Sequence, residues 1–274
     1  MAIEILPLAP DSPLAAQLRT ERALTVPPKG DNYFRDRLRG TRAVALQMGG
    51  ATVGYAALEE RVEATAGVFE FFLRRGSQRV ARRAWEALAA YAKPGYLVVR
   101  IDDPQATLLA SDLGLGFKAQ AYCMEREAHV RLPGHRGWEL LPLTHERFEE
   151  AFAILAPESP WEGGHSEAER EPMRASIGTH RYHTLLVEGK VAGVGMLVPI
   201  PEDPTLVDIG MVIARPYRRQ GLASWMLSNL ASEMEARGHI LVAGLGAHNV
   251  GSRRSLEKAG FRVAFAWSSV RLGG

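Results

Sequence analysis

The chain has 274 residues, of which 46% are hydrophobic and 23% are charged, a composition typical of folded globular proteins. Its 33 basic and 31 acidic side chains give a formal net charge of +2, which argues against bulk nucleic-acid binding. The single cysteine, Cys123, excludes an intramolecular disulfide and a metal site built from several cysteines.

Signals for export or membrane insertion are missing from the sequence pattern. The first residues contain the acidic Glu4 and no long apolar core of the kind that a secretion signal has. No apolar run reaches the length of a membrane span. We therefore expect a cytoplasmic protein, a monomer or homodimer, that binds neither membrane nor nucleic acid and holds no metal.

Three short segments of the first half recur in the same order in the second half. The matched pairs are 5–8 with 140–143, 50–54 with 189–193, and 114–117 with 258–261. Their separations increase slowly from 135 to 144 residues, as expected if loops changed length while one fold was kept. Turn residues without periodicity fill 131–137, so we predict two domains, 1–130 and 138–274.

The second half alternates strand and helix patterns. In chain order the pattern predicts a strand from Trp138, helices over 145–154 and 166–177, a hairpin of strands 182–188 and 191–200, a strand over 206–214, a helix over 223–236, a strand over 240–245, a helix over 252–259 and a strand from Arg262. This alternation indicates an α/β fold with a mixed sheet and helices on its faces.

A loop that joins a β-branched strand to a helix carries the strongest chemical signal. It contains Arg218, Gly221 and Ala223 at spacings of three and two residues, with Arg219 and Gln220 between them. Amides in the first helical turn have no partner within the helix, and together with the helix dipole they bind phosphate. A glycine there lets the backbone approach phosphate oxygens closely. The loop is therefore predicted to bind a phosphorylated ligand.

This loop resembles the coenzyme A loop of the GNAT acetyltransferase superfamily, whose pattern is Gln/Arg-x-x-Gly-x-Gly/Ala. Asn249-x-x-Ser252, followed by Gly260-Phe261, is similar to a second signature of that family. The resemblance implies two tandem GNAT-like domains, each a twisted mixed sheet with helices on both faces. It implies that acetyl-CoA is the cofactor and that it is held by Met211, Val212, Ile213, Arg218, Arg219, Gln220, Gly221, Leu222, Ala223, Asn249 and Ser252.

The residues that would move protons are less well defined by the sequence. Asp208 lies on the strand where the family often places a carboxylate, and His248 precedes Asn249. Each also has a structural interpretation, and a relay of water molecules can replace a side-chain base. The family's tyrosine position is occupied by Leu256. Ser252, Ser255 or water would therefore protonate the leaving thiolate, or the thiolate would leave unassisted. The candidate catalytic residues are Asp208, His248 and Ser252.

Acceptor binding is predicted in the segment between the first two helices of the second half. Trp161 and Glu162 would suit a cationic amine with an apolar flank, with His165 close by in sequence. The alternative is a surface loop whose tryptophan packs on the core.

When the two halves are aligned through their repeats, the first half lacks a glycine at the position of Gly221. Arg79 falls opposite Gly221, and Gln105 falls opposite Asn249. Five arginines between 74 and 83 cluster around the start of a helix predicted over 79–92, which indicates a solvated helix start rather than a nucleic-acid patch. We predict that this half keeps the fold and does not bind coenzyme A.

The sequence therefore predicts transfer of an acetyl group from acetyl-CoA to a primary amine of a small molecule, by direct attack. Two alternatives stay open. One is acetylation of a protein or peptide amine, and the other is a non-catalytic acyl-CoA sensor, suggested by Leu256 in place of tyrosine.

Overall fold

The computed structural model describes residues 1–26, 30–60, 66–156 and 167–272. The chain divides into two compact units, which are Met1–Tyr122 together with Phe265–Gly274, and Cys123–Ala264. Each unit is a mixed α/β arrangement, as the sequence predicts. Among the helices of the described residues, none combines the length and apolar character needed to cross a membrane.

The first unit has a sheet in the strand order β1-β2-β3-β4-β5, completed by the C-terminal part of β12. β4 and β5 are parallel, and β5 pairs antiparallel with β12 from Trp267↔Arg100 to Arg271↔Tyr96. The elements of this unit are β1 (Ile3–Pro7), α1 (Pro13–Ala23), α2 (Asn32–Arg39), β2 (Thr41–Met48), β3 (Ala51–Glu60), β4 (Ala66–Leu73), α3 (Ala81–Ala92), β5 (Tyr96–Arg100), α4 (Pro104–Asp112) and part of β12 (Phe261–Arg271).

The second unit has a sheet in the order β6-β11-β10-β9-β8-β7. β10 and β11 are parallel, whereas the pairs β7/β8, β8/β9 and β9/β10 are antiparallel. Its elements are β6 (Ala121–Arg126), β7 (Trp138–Pro142), α5 (Phe148–Leu155), α6 (Glu167–Ala175), β8 (Tyr182–Val187), β9 (Lys190–Ile200), β10 (Asp203–Ile213), α7 (Leu222–Ala236), β11 (Ile240–Gly246) and α8 (Val250–Lys258).

Strand alternation places α5 and α7 on opposite faces of the second sheet. On α5, the residues Phe148, Ala151, Phe152 and Leu155 follow helical spacing, and all are buried in a cluster that includes Val194 of β9. The next residue on β9, Gly195, faces α7, where an added Cβ would lie 2.6 Å from Leu230 Cδ1. Gly195 therefore lets α7 approach the sheet closely.

Most predicted elements of the second half are confirmed, with shifts at their ends. Helix α8 begins at Val250, two residues before the predicted start, because Asn249 caps it. Pro172 lies inside α6, which runs from Glu167 to Ala175.

One of the three sequence repeats is wrong in detail. Gly116-Phe117 was matched with Gly260-Phe261, but Phe261 is fully buried at the start of β12 whereas Phe117 is 38% exposed in a loop. The glycines that follow helices α4 and α8 at positive φ are Gly114 and Gly260, at 68° and 93°. The structural match is thus two residues from the sequence match.

The two compact units differ from the predicted domains, 1–130 and 138–274, in where they place the strands β6 and β12. Most of β12, the last strand of the chain, belongs to the first unit, and most of β6 belongs to the second. The sequence ranges stay a prediction about domains, since compact packing alone does not show which segments fold independently.

A buried histidine makes the second unit sensitive to acid. His183 of β8 is 3% exposed, and its Nδ1 has no hydrogen-bond partner among the described residues. Burial lowers the pKa of His183, with smaller opposing and reinforcing effects from Glu233, His180 and Arg237. The unfolded chain, with an ordinary histidine pKa near 6.5, therefore binds more protons than the folded chain just below that pH.

We expect the contribution of His183 to the free energy of unfolding to be constant above pH ~6.5 and to fall as the pH drops below it. His183→Gln removes the titrating group and should flatten this dependence, whereas the exposed His145→Gln should leave it as in the wild type. Urea unfolding between pH 5 and 8 measures the effect. An unchanged slope in His183→Gln would show that other groups cause the acid sensitivity.

Candidate functional site

The second sheet opens into a fork between its two parallel strands. β10 and β11 pair at Leu206↔Ile240, Val207↔Leu241 and Asp208↔Val242, and then the pairing stops. β10 continues for five residues to Ile213. It stays paired with β9 up to Ile213↔Gly193, so β10 keeps its place in the sheet and the opening lies on the β11 side.

The backbone directions along β10 follow from one hydrogen bond at its end. The N–H of Ala214 donates to the carbonyl of Ala192 at 2.9 Å and so points toward β9. Because successive residues of a strand direct their backbone groups to alternate edges, those of Met211 and Ile213 point into the fork. The carbonyl of Ile213 accepts a hydrogen bond from Arg218 Nε at 2.9 Å.

The loop between β10 and α7 lies at the open end of the fork and has two residues with positive φ. Arg219 has φ 64°, and Gly221, the N-cap of α7, has φ 88°. Within the described residues, the amides from Arg219 to Ala223 have no acceptor in the chain. Alternation of left-handed and ordinary residues turns successive N–H groups toward one side, which forms a concave anion site. The loop therefore offers a set of unpaired donors at the positive end of α7.

Gly221 suits this position for two reasons. Its φ is one that residues with a side chain rarely adopt, and an added Cβ would meet no atom within 4 Å, so the space above the loop is open. The next residue, Leu222, is 1% exposed and anchors the helix start in the core. Open space above a firmly anchored helix start is what close approach of a phosphate needs.

The other side of the fork ends in a capped helix. Oδ1 of Asn249 accepts the N–H of Ser252 at 3.0 Å, so the Asn-x-x-Ser pattern is an N-cap of α8. This bond fixes the carboxamide and leaves its NH2 group as a donor. His248, in the preceding loop, is exposed, and Leu256 is 4% exposed, packed in the core at the family's tyrosine position.

Asp208 occupies the last paired position, at the closed end of the fork. At 3.3 Å per residue, five residues of β10 place it roughly 16 Å from Ile213 at the open end. Alternation puts Asp208 and Gly210 on the face of Val212, which packs against the α5 cluster.

Tyr182 is a further residue of this face, and the sequence reasoning missed it. It packs beside the α5 cluster and pairs with Met196, which in turn pairs with Gly210. Burial raises the pKa of the Tyr182 phenol, an effect that Arg181 opposes. A tyrosine inside a predicted strand gives no sign of such a position, because strands commonly contain aromatic residues.

The predicted acceptor residues Trp161, Glu162 and His165 lie outside the described residues. The parts of the chain that the structure describes contain no group of three His, Cys, Asp or Glu side chains that could hold a metal ion.

The corresponding loop of the first unit uses several of its amides in hydrogen bonds within the chain. The N–H of Gly76 donates to Oε1 of Gln78 at 2.8 Å, and the N–H groups of Ser77 and Val80 donate to backbone carbonyls. Arg79 lies in a 3-10 turn (Gln78–Val80) that runs directly into α3. At least three amides of the loop after β4 thus have acceptors within the chain.

Part of the chain is similar to a known protein family. Residues 148–261 match the model of the acetyltransferase (GNAT) family. No curated protein sequence matches the chain significantly.

Solved structures match over nearly the whole chain. A GNAT-family acetyltransferase of Colwellia psychrerythraea has a TM-score of 0.77 and 14% identity, covering 98% of this chain and 100% of that chain. A GCN5-related N-acetyltransferase of Sphaerobacter thermophilus has 0.64 and 17%, covering 99% and 97%. A tandem GNAT protein from the clavulanic acid biosynthesis pathway has 0.61 and 16%, covering 99% and 100%. At these identities the likeness establishes the fold.

The role of Asn249 as a helix cap can be separated from its free NH2 group. Asn249→Ala removes the acceptor for Ser252 N–H and should lower the free energy of unfolding by about 1 kcal/mol. Asn249→Asp keeps the acceptor, and its charge at a helix N-terminus should keep the stability near that of the wild type. Urea unfolding of both variants tests this, and equal losses would contradict the capping role.

Proposed function

Because residues 148–261 belong to the GNAT acetyltransferase family, we propose that the chain transfers an acetyl group from acetyl-CoA to a primary amine of a small molecule. The observation that carries the proposal is the fork between β10 and β11, which ends in a loop of unpaired amides. Acetyl-CoA supplies the acetyl group as an activated thioester.

The loop fits the pyrophosphate of coenzyme A. The amides of Arg219, Gln220, Gly221, Leu222 and Ala223 are donors without acceptors in the described chain, and they lie at the positive end of α7. Exposed guanidinium groups of Arg218 and Arg219 add positive charge. A bound phosphate would satisfy donors that are otherwise left to water.

The fork fits the pantetheine arm, which carries amides. Backbone groups of Met211 and Ile213 point into it, with Val212 between them facing the α5 side. Asn249 presents its NH2 group from the opposite side. Pairing of the arm with β10 would restore part of the ladder that stops at Asp208.

Amine acetylation requires a neutral amine, a partner for the oxygen that becomes negative, and a proton for the leaving sulfur. Backbone N–H groups in the fork would stabilise the oxygen. Asp208, at the closed end and on the α5 face, is our candidate base, with His248 as the alternative. Ser252, in the first turn of α8, is the candidate near the leaving sulfur.

A small acceptor is supported by the cover over the α5 face. Helices α5 and α6 pack on this side of the sheet, and the partly buried Tyr182 lies beneath them. Trp161, Glu162 and His165 belong to the segment that joins these helices and are our candidates for acceptor binding. Burial of Leu256 at the tyrosine position instead favours the second candidate, an acyl-CoA sensor.

Calorimetric titration with coenzyme A is the experiment that tests the cofactor site. We expect one site per chain for the wild type. Gly221→Arg should weaken binding at least 100-fold, or about 2.7 kcal/mol, because it blocks the loop and forces a side chain into positive φ.

Gly238→Arg is a matched control for backbone strain. Gly238 has φ 87°, and an added Cβ there would also meet no atom within 4 Å, but it lies at the far end of α7. It should lose similar stability and keep the affinity for coenzyme A. Equal affinity of both variants would overturn the site, and two sites per chain would contradict a silent first unit.

Asp208→Asn tests the base. If Asp208 accepts the amine proton, this variant should lose at least 10-fold in kcat, and the acidic side of the pH–rate profile should disappear. Affinity for coenzyme A should change little, since the change lies at the closed end of the fork. Assays over a panel of small amines and peptides give the readout. A wild-type pH–rate profile in Asp208→Asn would exclude Asp208 as the base. Tight binding of coenzyme A by the wild-type protein, without turnover of any amine in the panel, would favour the sensor.

A further inference from the structure

The first unit contains a fork like that of the second unit. β4 and β5 pair at Gly67↔Tyr96 and Val68↔Leu97, and then the pairing stops. Leu73 ends β4 five residues later, as Ile213 ends β10 five residues after Asp208. The two strand ends are therefore equivalent positions of the two units.

The helices that follow the forks can be matched by their caps. Asp103 caps α4 and Asn249 caps α8, so Asn249 corresponds to Asp103 and not to Gln105, as the sequence alignment had it. The second residues of the two helices are then Gln105 and Gly251. Gly114 and Gly260 follow the ends of the two helices. Their separation in sequence equals that between the two caps, Asp103 and Asn249.

Gln105 uses its side chain to bridge the first fork. Its Oε1 accepts the N–H of Leu73 at 2.7 Å, and its Nε2 donates to the carbonyl of Leu73 at 2.9 Å. One carboxamide thus satisfies both backbone groups at the end of β4. An amide of a neighbouring strand would make the same pair of bonds.

Charged side chains also link the two sides of this fork. Arg22 of α1 forms ion pairs with Glu70 of β4 at 2.7 Å and with Asp103 at 2.9 Å, and all three are buried. Tyr55 also donates its hydroxyl to Glu70. In the second unit, the position two residues after the last strand pair, held by Glu70 in the first, is Gly210, which has no side chain to contribute.

Among the described residues of the second unit, no carboxamide bonds both backbone groups of Ile213 as Gln105 bonds those of Leu73. Gly251 is exposed, and an added Cβ there would meet only Asn249 Oδ1, at 3.9 Å. Ile213 receives the Arg218 guanidinium on its carbonyl, and no residue of β11 pairs with it. The equivalent of the bridging carboxamide is absent because the residue is glycine.

We propose that the second residue of the helix after each fork decides whether the fork admits a pantetheine arm: Gln105 closes the first with its own carboxamide, and Gly251 leaves the second open. The inference rests on the proposed coenzyme A site of the second unit. An attached amide has an effective concentration of millimolar or more, so a free ligand competes with it poorly.

Transplanting the bridging side chain tests the proposal. Gly251→Gln in the full chain should weaken coenzyme A binding at least 10-fold, because a carboxamide placed like that of Gln105 would take the N–H of Ile213, whose carbonyl already accepts from Arg218. Gly251→Ala is the matched control, with the same gain in helix propensity and no carboxamide, and it should bind within about 2-fold of the wild type. Both variants should keep the wild-type melting temperature or exceed it, since Gly251 has no positive φ.

The reciprocal change has a readout that does not involve coenzyme A. Gln105→Ala should speed hydrogen exchange of the Leu73 amide at least 10-fold, while the amide of Ala214, in the second unit, keeps its protection. Unchanged exchange at Leu73 would overturn the closure of the first fork, whatever the second unit binds.

The outcomes separate this inference from the proposed function. If the wild type binds coenzyme A and Gly251→Gln binds equally well, the role of the helix residue is overturned and the cofactor site stands. If the wild type does not bind, the proposed function fails, and the role of Gly251 fails with it. Loss of binding in Gly251→Gln alone supports both.

Discussion

The candidate site of the second unit depends on the point at which β10 and β11 stop pairing. Beyond Asp208↔Val242 the sheet is open on one side, while β9 holds β10 in place on the other. Backbone N–H and C=O groups that lose a strand partner need another one, because burying them unpaired costs free energy. The opening therefore leaves the backbone groups of Met211 and the N–H of Ile213 without a strand partner, while the carbonyl of Ile213 accepts from Arg218. Parallel strands also end at the same edge, which brings the loops before α7 and α8 together at the mouth.

The two units meet the same backbone requirement in different ways. In the first, Gln105 bonds both groups of Leu73, and Gln78 takes the amide of Gly76. In the second, the loop amides from Arg219 to Ala223 stay open within the described chain. One fold can thus carry a cleft whose strand end is bonded by its own side chain and a cleft whose loop amides have no acceptor in the described chain. The difference lies in a few side chains and in the φ angles of one loop.

The sequence predicted the parts of this structure that depend on local pattern. Periodicity located the strands and helices of the second half, and the residues from Arg218 to Ala223 identified the loop before α7. Long-range contacts could not be read in this way. The positive φ of Arg219 is unusual for a residue with a side chain, and no neighbour in sequence signals it. The bond between Gln105 and Leu73 joins residues 32 apart, and an error of two positions in the repeat hid the correspondence with Gly251.

The placement of β12 has a consequence for how the chain matures. Strand β5 pairs with Trp267–Arg271, yet the rest of the first unit ends at Tyr122. At a translation rate of 5–20 residues per second, roughly 7 to 29 seconds separate Tyr122 from Phe265 on the ribosome. During that interval the edge of β5 has no partner from its own unit, and exposed strand edges promote aggregation. In the nascent first unit, one edge of β5 therefore stays unpaired until Trp267–Arg271 have been synthesised.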